Sequence, residues 1–270
     1  MIKTTALIDA NNLLWRYLSV MPDPVKAVSS FLKTVCEIDR KTGIAFGRKV
    51  VVVEPLVKDR DGEYKAHRKE VAPEVAAAFQ TAIDLLPHLD HHFFYAQEVE
   101  ADRVLASFAR HAVMDLDEDV FIVTSDKDLC QLVRDPFVST IRPEKDWVIY
   151  REDQVLKRYK VPPDRLALYL TLAGDKSDNI PNVPGWGEVN AARAANQASG
   201  PSDLEGLRKA TGIPAKLMAA LEENWEKVVL HYGMIDLRKE PALQWPDKRP
   251  DRVRVREIVR KNPHLSWMVC

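Results

Sequence analysis

Two hydrophobic patterns alternate along the first half of the chain. Short apolar runs, bounded by polar residues, lie at residues 4–9, 49–54, 91–96 and 119–125. Longer stretches with apolar residues at helical spacing lie at residues 13–38, 74–86 and 98–113. The short runs predict buried strands and the longer stretches predict amphipathic helices. Strands that alternate with helices predict an α/β fold, in which a mainly parallel central sheet is flanked by helices.

The second half of the chain has a different pattern. Two weaker apolar runs, at residues 137–141 and 147–150, predict short strands at the edge of the sheet. After Tyr150 the spacing of apolar residues is mainly helical. We therefore expect an α/β domain over residues 1–150 and a helical region over residues 151–270.

Acidic residues follow three of the predicted strands. They are Asp9, Glu54 and Asp126, which we call the strand-end acids. Parallel strands end at the same edge of a sheet, and ligands bind outside that edge in open α/β folds. The three carboxylates are therefore expected to lie close together.

Five further acids lie near predicted helix starts or in a turn-rich loop, at Glu100, Asp102, Asp128, Asp175 and Asp178. Each of the eight acids has a structural alternative. Asp9 and Asp126 are suitable helix N-caps, first-turn acids interact favourably with the helix dipole, and Asp is common in turns. A convergence of seven or eight carboxylates would nevertheless need a counter-charge. Oxygen ligands without His or Cys favour two Mg²⁺ or Mn²⁺ ions, an arrangement used in phosphodiester hydrolysis.

Composition narrows the function classes only partly. The 39 Lys and Arg residues nearly balance the 40 Asp and Glu residues, so overall charge does not indicate nucleic-acid binding. No apolar run approaches the roughly 20 residues of a membrane span, and the N-terminus does not resemble a signal peptide. We therefore expect a cytoplasmic protein.

Its cysteines are Cys36, Cys130 and Cys270, whose number and spacing predict reduced core thiols rather than disulfides or a zinc site.

Six segments resemble the flap endonuclease and 5′–3′ exonuclease family, which includes phage exonucleases and the 5′ nuclease domain of bacterial DNA polymerase I. They are LIDANNLLWR, VVVEP, EYKAHR, EVEADR, TSDKDLCQLV and GDKSDNIPNVPGWG, in the order and spacing of the family. The resemblance covers about residues 3–200. It implies a PIN-like nuclease sheet, a helical arch at about residues 56–86 and a helix-three-turn-helix at about residues 164–200.

The resemblance also assigns metal ligands. It implies one ion near Asp9, Glu54, Glu100, Asp102 and Asp126, and a second near Asp126, Asp128, Asp175 and Asp178. Asp126 would lie at or near the bridge between the two ions. The predicted activity is two-metal-ion hydrolysis of phosphodiesters near 5′ ends of DNA.

DNA contacts are implied at the arch and at the hairpin. Tyr64, Lys65 and Arg68 match the base of the arch, where Lys65 and Arg68 would act with Asp126 in catalysis by steadying the scissile phosphate. The alternative for the two cations is a solvated helix face.

At the hairpin, backbone N–H groups near Val183, Gly185 and Gly187 could meet a phosphate at a helix N-terminus. The family adds a monovalent cation, K⁺, bound by carbonyls of Val183 and Gly185. The alternative is a hairpin used only for packing.

Three positions depart from the family pattern. Glu54 stands where an Asp is usual, Arg103 replaces an acid that follows Asp102, and Val189 replaces a frequent Lys. These departures keep open a structure-specific DNA-binding protein with weak or no catalysis. A phosphatase with a strand-end Asp nucleophile is a third reading, but Asn11 stands where its second acid would be needed.

The expected partner is DNA with a 5′ flap, a nick or a free 5′ end, or an RNA primer on DNA. The sequence does not choose among them. We expect a monomer that acts alone or beside a separately supplied polymerase, in a bacterial or phage-infected cell. The basic stretch at residues 252–261 is read either as part of the duplex footprint or as a solvated face, and the second reading is favoured.

Overall fold

A computed structural model describes residues 3–56, 71–89, 91–97, 99–245 and 260. Its centre is a six-stranded sheet in the order β3-β2-β1-β4-β5-β6. The strands are β1 (Lys3–Asp9), β2 (Arg48–Val53), β3 (His92–Tyr95), β4 (Glu118–Val123), β5 (Val138–Pro143) and β6 (Trp147–Tyr150). All neighbours pair in parallel except β5 and β6, which are antiparallel at the edge. The predicted mainly parallel sheet with flanking helices is confirmed.

Helices cover both faces of the sheet and form most of the described chain after β6, residues 151–245. They are α1 (Ala10–Val20), α2 (Pro24–Cys36), α3 (Ile38–Thr42), α4 (Pro73–Leu85), α5 (Ala101–Asp115), α6 (Glu152–Tyr159), α7 (Leu166–Ala173), α8 (Glu188–Gln197), α9 (Leu204–Arg208), α10 (Ala215–Glu223) and α11 (Trp225–Ile235). Among the described residues, no helix is both long and apolar enough to cross a membrane.

The sheet is buried on both faces because its central strands contain continuous apolar runs. Leu7 and Val50 pack with α5 on one face. Ile8 and Val51, the next residue along each strand, pack with α1, α2 and α4 on the other. Successive side chains of a strand point to opposite faces, so a continuous apolar run is what a doubly covered sheet requires.

The strand order places a topological switch point between β1 and β4. The chain runs outward from β1 to β2 and β3, and then returns to β4 on the other side of β1. Asp9 ends β1 in register with Val52 of β2, while Ile8 is paired with Val123, the last residue of β4. The crevice outside such a switch point is the usual ligand site of an open α/β sheet.

The amphipathic stretch predicted over residues 13–38 is two helices rather than one. Helix α1 ends at Val20, and α2 begins at Pro24 after Asp23, whose side chain accepts hydrogen bonds from the backbone of Val25 and Lys26. Proline cannot continue a helix but suits the first helical position, and Asp is a good N-cap. The break is therefore encoded locally by the segment at residues 21–24.

A C-terminal strap, residues 236–245, returns from the helical region to the sheet. Leu237 and Trp245 are buried in the core cluster beneath α5. Trp245 packs edge-on against Phe108, with ring centroids 5.7 Å apart. The backbone N–H of Leu237 donates to Gln131 Oε1 at 3.0 Å. The strap thus closes one face of the α/β core.

Several sequence expectations fall outside the described residues or need correction. Residues 57–70, which carry Tyr64, Lys65 and Arg68, are outside, as is nearly all of residues 252–261. The prediction of core thiols is confirmed for Cys130, which is buried, and wrong for Cys36, which is exposed at the end of α2. Cys270 lies outside the described residues. The predicted domain boundary near residue 150 stays a prediction.

Candidate active site

Asp9 is fixed where β1 passes into α1. Its Oδ1 accepts a hydrogen bond from the backbone N–H of Asn12 at 3.1 Å, so it is the N-cap of α1. Its Oδ2 accepts from the Thr124 hydroxyl at 2.8 Å, which links the ends of β1 and β4. Burial, helped by the charge of Asp126, raises the pKa of Asp9 to about 7. Asp9 is therefore the N-cap of α1, as the structural alternative predicted, and it also lies near the other strand-end acids.

Glu54 links the end of β2 to the start of α5. Its Oε2 accepts from the backbone N–H of Ala101 at 2.9 Å. The side chain of Asn11 donates to the Glu54 carbonyl at 3.0 Å and accepts from its N–H at 2.9 Å. Two polar side chains therefore bring the N-termini of α1 and α5 to the same edge of the sheet.

Asp126 lies in the loop after β4. Its N–H donates to the Thr124 hydroxyl at 3.0 Å, and its Oδ1 accepts from the N–H of Asp128 at 3.0 Å. Arg142, a buried residue of β5, donates to the carbonyls of Ser125 and Asp126 at 2.5 and 3.3 Å. The loop is held from both sides, so the Asp126 carboxylate has a defined orientation.

Asp128, Asp175 and Asp178 form a compact group that we call the acid cluster. Each offers a carboxylate oxygen, and these atoms all lie within 4.8 Å of one another. Asp128 begins a 3₁₀ turn, and Asp175 follows α7 in a tight loop closed by a bridge to Ile180. Gly174 makes this loop possible. Its φ is +78°, and a Cβ there would lie 2.5 Å from the backbone nitrogen of Asn182.

Two oxygens of the acid cluster are buried without a hydrogen-bond partner. They are Asp128 Oδ1 and Asp175 Oδ2. Buried carboxylate oxygens are normally satisfied, and a cluster of such oxygens without His or Cys suits a hard divalent cation. The residues present therefore fit a divalent metal ion.

Lys127 supplies a positive charge beside the cluster. Its Nζ lies 2.6 Å from Asp175 Oδ1, 2.8 Å from Ser177 Oγ and 4.0 Å from Asp128 Oδ1. Burial, followed by the charges of Asp126 and Asp175, raises the pKa of Asp128 well above its usual range. Burial acts in the same direction on Asp175, but hydrogen bonds from Lys127 and Ser177 outweigh it and lower the pKa of that carboxyl.

Glu100 and Asp102 flank the start of α5. Glu100 is the N-cap residue and Asp102 lies in the first turn, and both are half-buried. Arg103 turns away toward the chain's C-terminal part, where it donates to Glu240 and, at 2.9 Å, to the carbonyl of Met234. The departure at this position therefore ties α5 to the strap.

The predicted hairpin is a packed turn between α7 and α8. Trp186 is buried, and its indole N–H donates to the Leu217 carbonyl at 2.9 Å. Gly185 has a φ of +80°, and Gly187 is the N-cap of α8 with open space where a side chain would be. Val189 is 73% exposed in the first turn of α8. The backbone at the start of α8 is open to an anion, without a lysine at that position.

Sequence reasoning missed four residues that build the site. Asn12 accepts from the N–H of Ser125 at 2.8 Å. Thr124 bridges two strand-end acids, Arg142 holds their loop, and Lys127 pairs with the acid cluster. Thr124 could have been found from its position, because it is a polar residue directly after the buried strand β4. An arginine directly after the apolar run at residues 137–141 gave a signal for Arg142.

Sequence comparison identifies the family in two consecutive segments. The profile described as "5′-3′ exonuclease, N-terminal resolvase-like domain" matches residues 4–160. The profile described as "5′-3′ exonuclease, C-terminal SAM fold" matches residues 161–258. DNA polymerase I of Pseudomonas aeruginosa is 28% identical across 97% of this chain, and the chain spans 31% of that protein. The thermostable DNA polymerase I of Thermus aquaticus is 29% identical across 94% of this chain and 31% of its own length.

Solved structures share the fold. The bacteriophage T5 D15 protein, co-crystallised with metal ions, superposes with a TM-score of 0.69 at 19% identity, covering 87% of this chain and 90% of that one. The catalytic core of Rad2 in complex with DNA substrate gives 0.56 at 16% identity, covering 98% and 89%. With both family profiles matched in order, the chain belongs to the 5′–3′ exonuclease family of hydrolytic nucleases.

Proposed function

We propose that this protein is a divalent-metal-dependent nuclease that hydrolyses phosphodiesters near 5′ ends of DNA by a two-metal-ion mechanism. The observation that carries the proposal is the acid cluster, with its two buried oxygens that lack a hydrogen-bond partner. It lies beside the strand-end acids at the switch point of the sheet. The T5 D15 protein and the Rad2 core, which share the fold, are described with metal ions and with DNA, respectively.

We propose two groups of metal ligands. One ion, Mg²⁺ or Mn²⁺, would be held by Asp9, Glu54, Glu100, Asp102 and Asp126, and the other by Asp126, Asp128, Asp175 and Asp178. Bound divalent ions supply Lewis acidity, which stabilises negative charge on a phosphodiester and lowers the pKa of a nearby water. The chain's own contribution is orientation. Thr124 and Asn12 fix the strand-end loops, and Arg142 holds the backbone of Asp126.

DNA is proposed to contact two surfaces. A Cβ at Gly187, the N-cap of α8, would meet nothing within 4 Å, so a phosphate oxygen has room to approach the helix N-terminus there. Such contacts grip the backbone without reading bases. A K⁺ ion bound by the carbonyls of Val183 and Gly185 would reinforce this contact. Tyr64, Lys65 and Arg68, outside the described residues, are proposed to act at the scissile phosphate from the arch.

The proposed substrates are 5′ flaps, nicks, free 5′ ends and RNA primers on DNA. DNA polymerase I relatives are about three times as long as the matching segment, since the chain spans 31% of the first of them. A separate DNA polymerase is a proposed partner for this nuclease, which would act on bacterial DNA or phage DNA in the cytoplasm. We retain residues 1–150 and 151–270 as the proposed nuclease and DNA-binding regions.

Cleavage of four 5′-labelled substrates tests this proposal. A flap, a nicked duplex, a blunt duplex and an RNA-primed duplex are each incubated with EDTA, Mg²⁺ or Mn²⁺. The wild type is compared with Asp126→Asn and with Asp146→Asn, a matched control at an exposed position in the β5–β6 turn. Product should require a divalent ion, persist in the control and fall by at least about a hundredfold in Asp126→Asn, while DNA binding in Ca²⁺ is retained.

Either of two results would contradict the assignment. DNA binding without product under Mg²⁺ or Mn²⁺ would indicate a binding protein of the same fold. Cleavage by Asp126→Asn at the wild-type rate would remove Asp126 from the mechanism. The ratio of products from the four substrates decides which 5′ structure is preferred.

A further inference from the structure

Lys127 occupies an unusual position for a residue flanked by two proposed metal ligands. Its ammonium lies among the acid cluster, 2.6 Å from Asp175 Oδ1 and 4.0 Å from Asp128 Oδ1. Ser177 Oγ, at 2.8 Å, completes its hydrogen bonding on this side. The ammonium therefore lies close to where a divalent ion would bind these carboxylates.

The ammonium is an incomplete counter-ion. Asp175 uses Oδ1 to accept from both Lys127 and Ser177, whereas its Oδ2 is buried without a hydrogen-bond partner. Asp128 Oδ1 is also without such a partner, at 4.0 Å from Nζ. A single positive charge thus lies near two carboxylates and donates a hydrogen bond to only one of their oxygens, Asp175 Oδ1. Asp128 Oδ1 and Asp175 Oδ2 are left for a cation with more coordination positions.

The Lys127 ammonium is free to move out of the acid cluster, whereas the Asp175 carboxylate is held in place by its surroundings. The side chain of Asp175 is 1% exposed and its loop is closed by the bridge to Ile180, while the Lys127 side chain is 28% exposed. A lysine ammonium sits on a flexible stem and is readily hydrated. A divalent ion among the same oxygens would repel it strongly at this distance, even with the effective dielectric of a protein surface.

We propose, on the basis of the second divalent site proposed above, that Lys127 and the second divalent ion occupy the acid cluster alternately. Without metal, the ammonium keeps the carboxylates assembled. Metal binding moves it to the edge of the site, where it faces an anionic phosphate. Because the displaced charge is best accepted by DNA, the second ion binds more tightly when substrate is present, and the coupling is reciprocal.

Metal binding without turnover tests this exchange. Mn²⁺ is titrated calorimetrically into metal-free wild type, Lys127→Met and Lys176→Met. Lys176 is the matched control because it is exposed next to Asp175 and makes no ion pair among the residues described by the structure. Lys127→Met should bind the second ion about tenfold or more tightly than wild type, and Lys176→Met should change little.

A second measurement uses the unmodified protein. Lysines are acylated with an amine reagent and quantified by mass spectrometry, with and without Mg²⁺, using Lys176 as the internal reference. Acylation of Lys127 should rise severalfold over the metal concentrations that fill the second site. If the second ion binds but affinity and acylation are both unchanged, the exchange is refuted and the proposed nuclease site stands. If no second ion binds to any of the proteins, both proposals fail.

Discussion

Replacing Asp128 by Asn should stabilise the metal-free protein. The Asp128 residue is 5% exposed, and its Oδ1 makes no hydrogen bond. One of its carboxylate oxygens lies within 4.8 Å of an oxygen of each of the other two carboxylates of the acid cluster. Two like charges about 4 Å apart repel by about 4 kcal/mol at an effective dielectric of 20, and Lys127 offsets part of this. We expect the free energy of unfolding in EDTA to rise by about 1–3 kcal/mol in Asp128→Asn.

Saturating Mg²⁺ should remove much of this advantage. Wild type gains about 2.7 kcal/mol when the ion is at a hundred times its dissociation constant, and Asp128→Asn gains less because it has lost a ligand. Urea unfolding in EDTA and in Mg²⁺ measures both differences, with exposed Asp146→Asn as the control.

The raised pKa of Asp128 determines how the stability difference between the variant and wild type changes with pH. The cost of its charge appears as pH rises above the ordinary carboxyl range, so the variant's advantage should vanish in acid. Lower stability of Asp128→Asn than of wild type in EDTA at neutral pH would refute this reasoning.

Three further changes test other parts of the molecule. Burial lowers the pKa of His91 to about 3, so its contribution to the free energy of unfolding is complete above pH 6.5 and is lost as pH falls. Urea unfolding should show that the free energy of unfolding decreases by about 3 kcal/mol by pH 4, and that the decrease is clearly smaller in His91→Gln. Equal losses would contradict this. Gly174→Ala should lower the free energy of unfolding by about 2–4 kcal/mol, measured in the same way, because Gly174 has a positive φ and an added Cβ would lie 2.5 Å from a backbone atom. Gly200→Ala is the control and should change it little, because a Cβ there would meet nothing within 4 Å. Arg103→Ala should speed amide exchange in the strap near Glu240, measured by mass spectrometry, and unchanged exchange would show that this contact does not hold the strap.

The sheet and the strand-end acids could be predicted because their determinants are local. Apolar runs predicted β1, β2 and β4, and the acid at the end of each run, or directly after it, predicted the positions of the strand-end acids. The break near Pro22 also had a local cause, which the apolar periodicity of residues 13–38 concealed.

Contacts between distant segments could not be predicted in the same way. Lys127 and Asp175 are 48 residues apart, and nothing near either residue specifies the pair. The bond from Leu237 to Gln131 spans 106 residues, and its glutamine lies in a motif that sequence reasoning connected only with metal binding. Such contacts depend on how the helical region packs on the sheet, which hydrophobic periodicity does not encode.

The strap also constrains the order of events during synthesis. Gln131 belongs to the same 3₁₀ turn as Asp128, and it bonds with both the Ile235 carbonyl and the Leu237 N–H. Domains fold as units while the chain emerges from the ribosome. Until Trp245 has emerged, the α5 face of the sheet lacks the part of its cover that the strap provides, and the turn that carries Asp128 lacks its anchor. All eight site acids are therefore synthesised before the strap that fixes this turn, so cleavage is expected to begin only after the strap has folded onto the sheet.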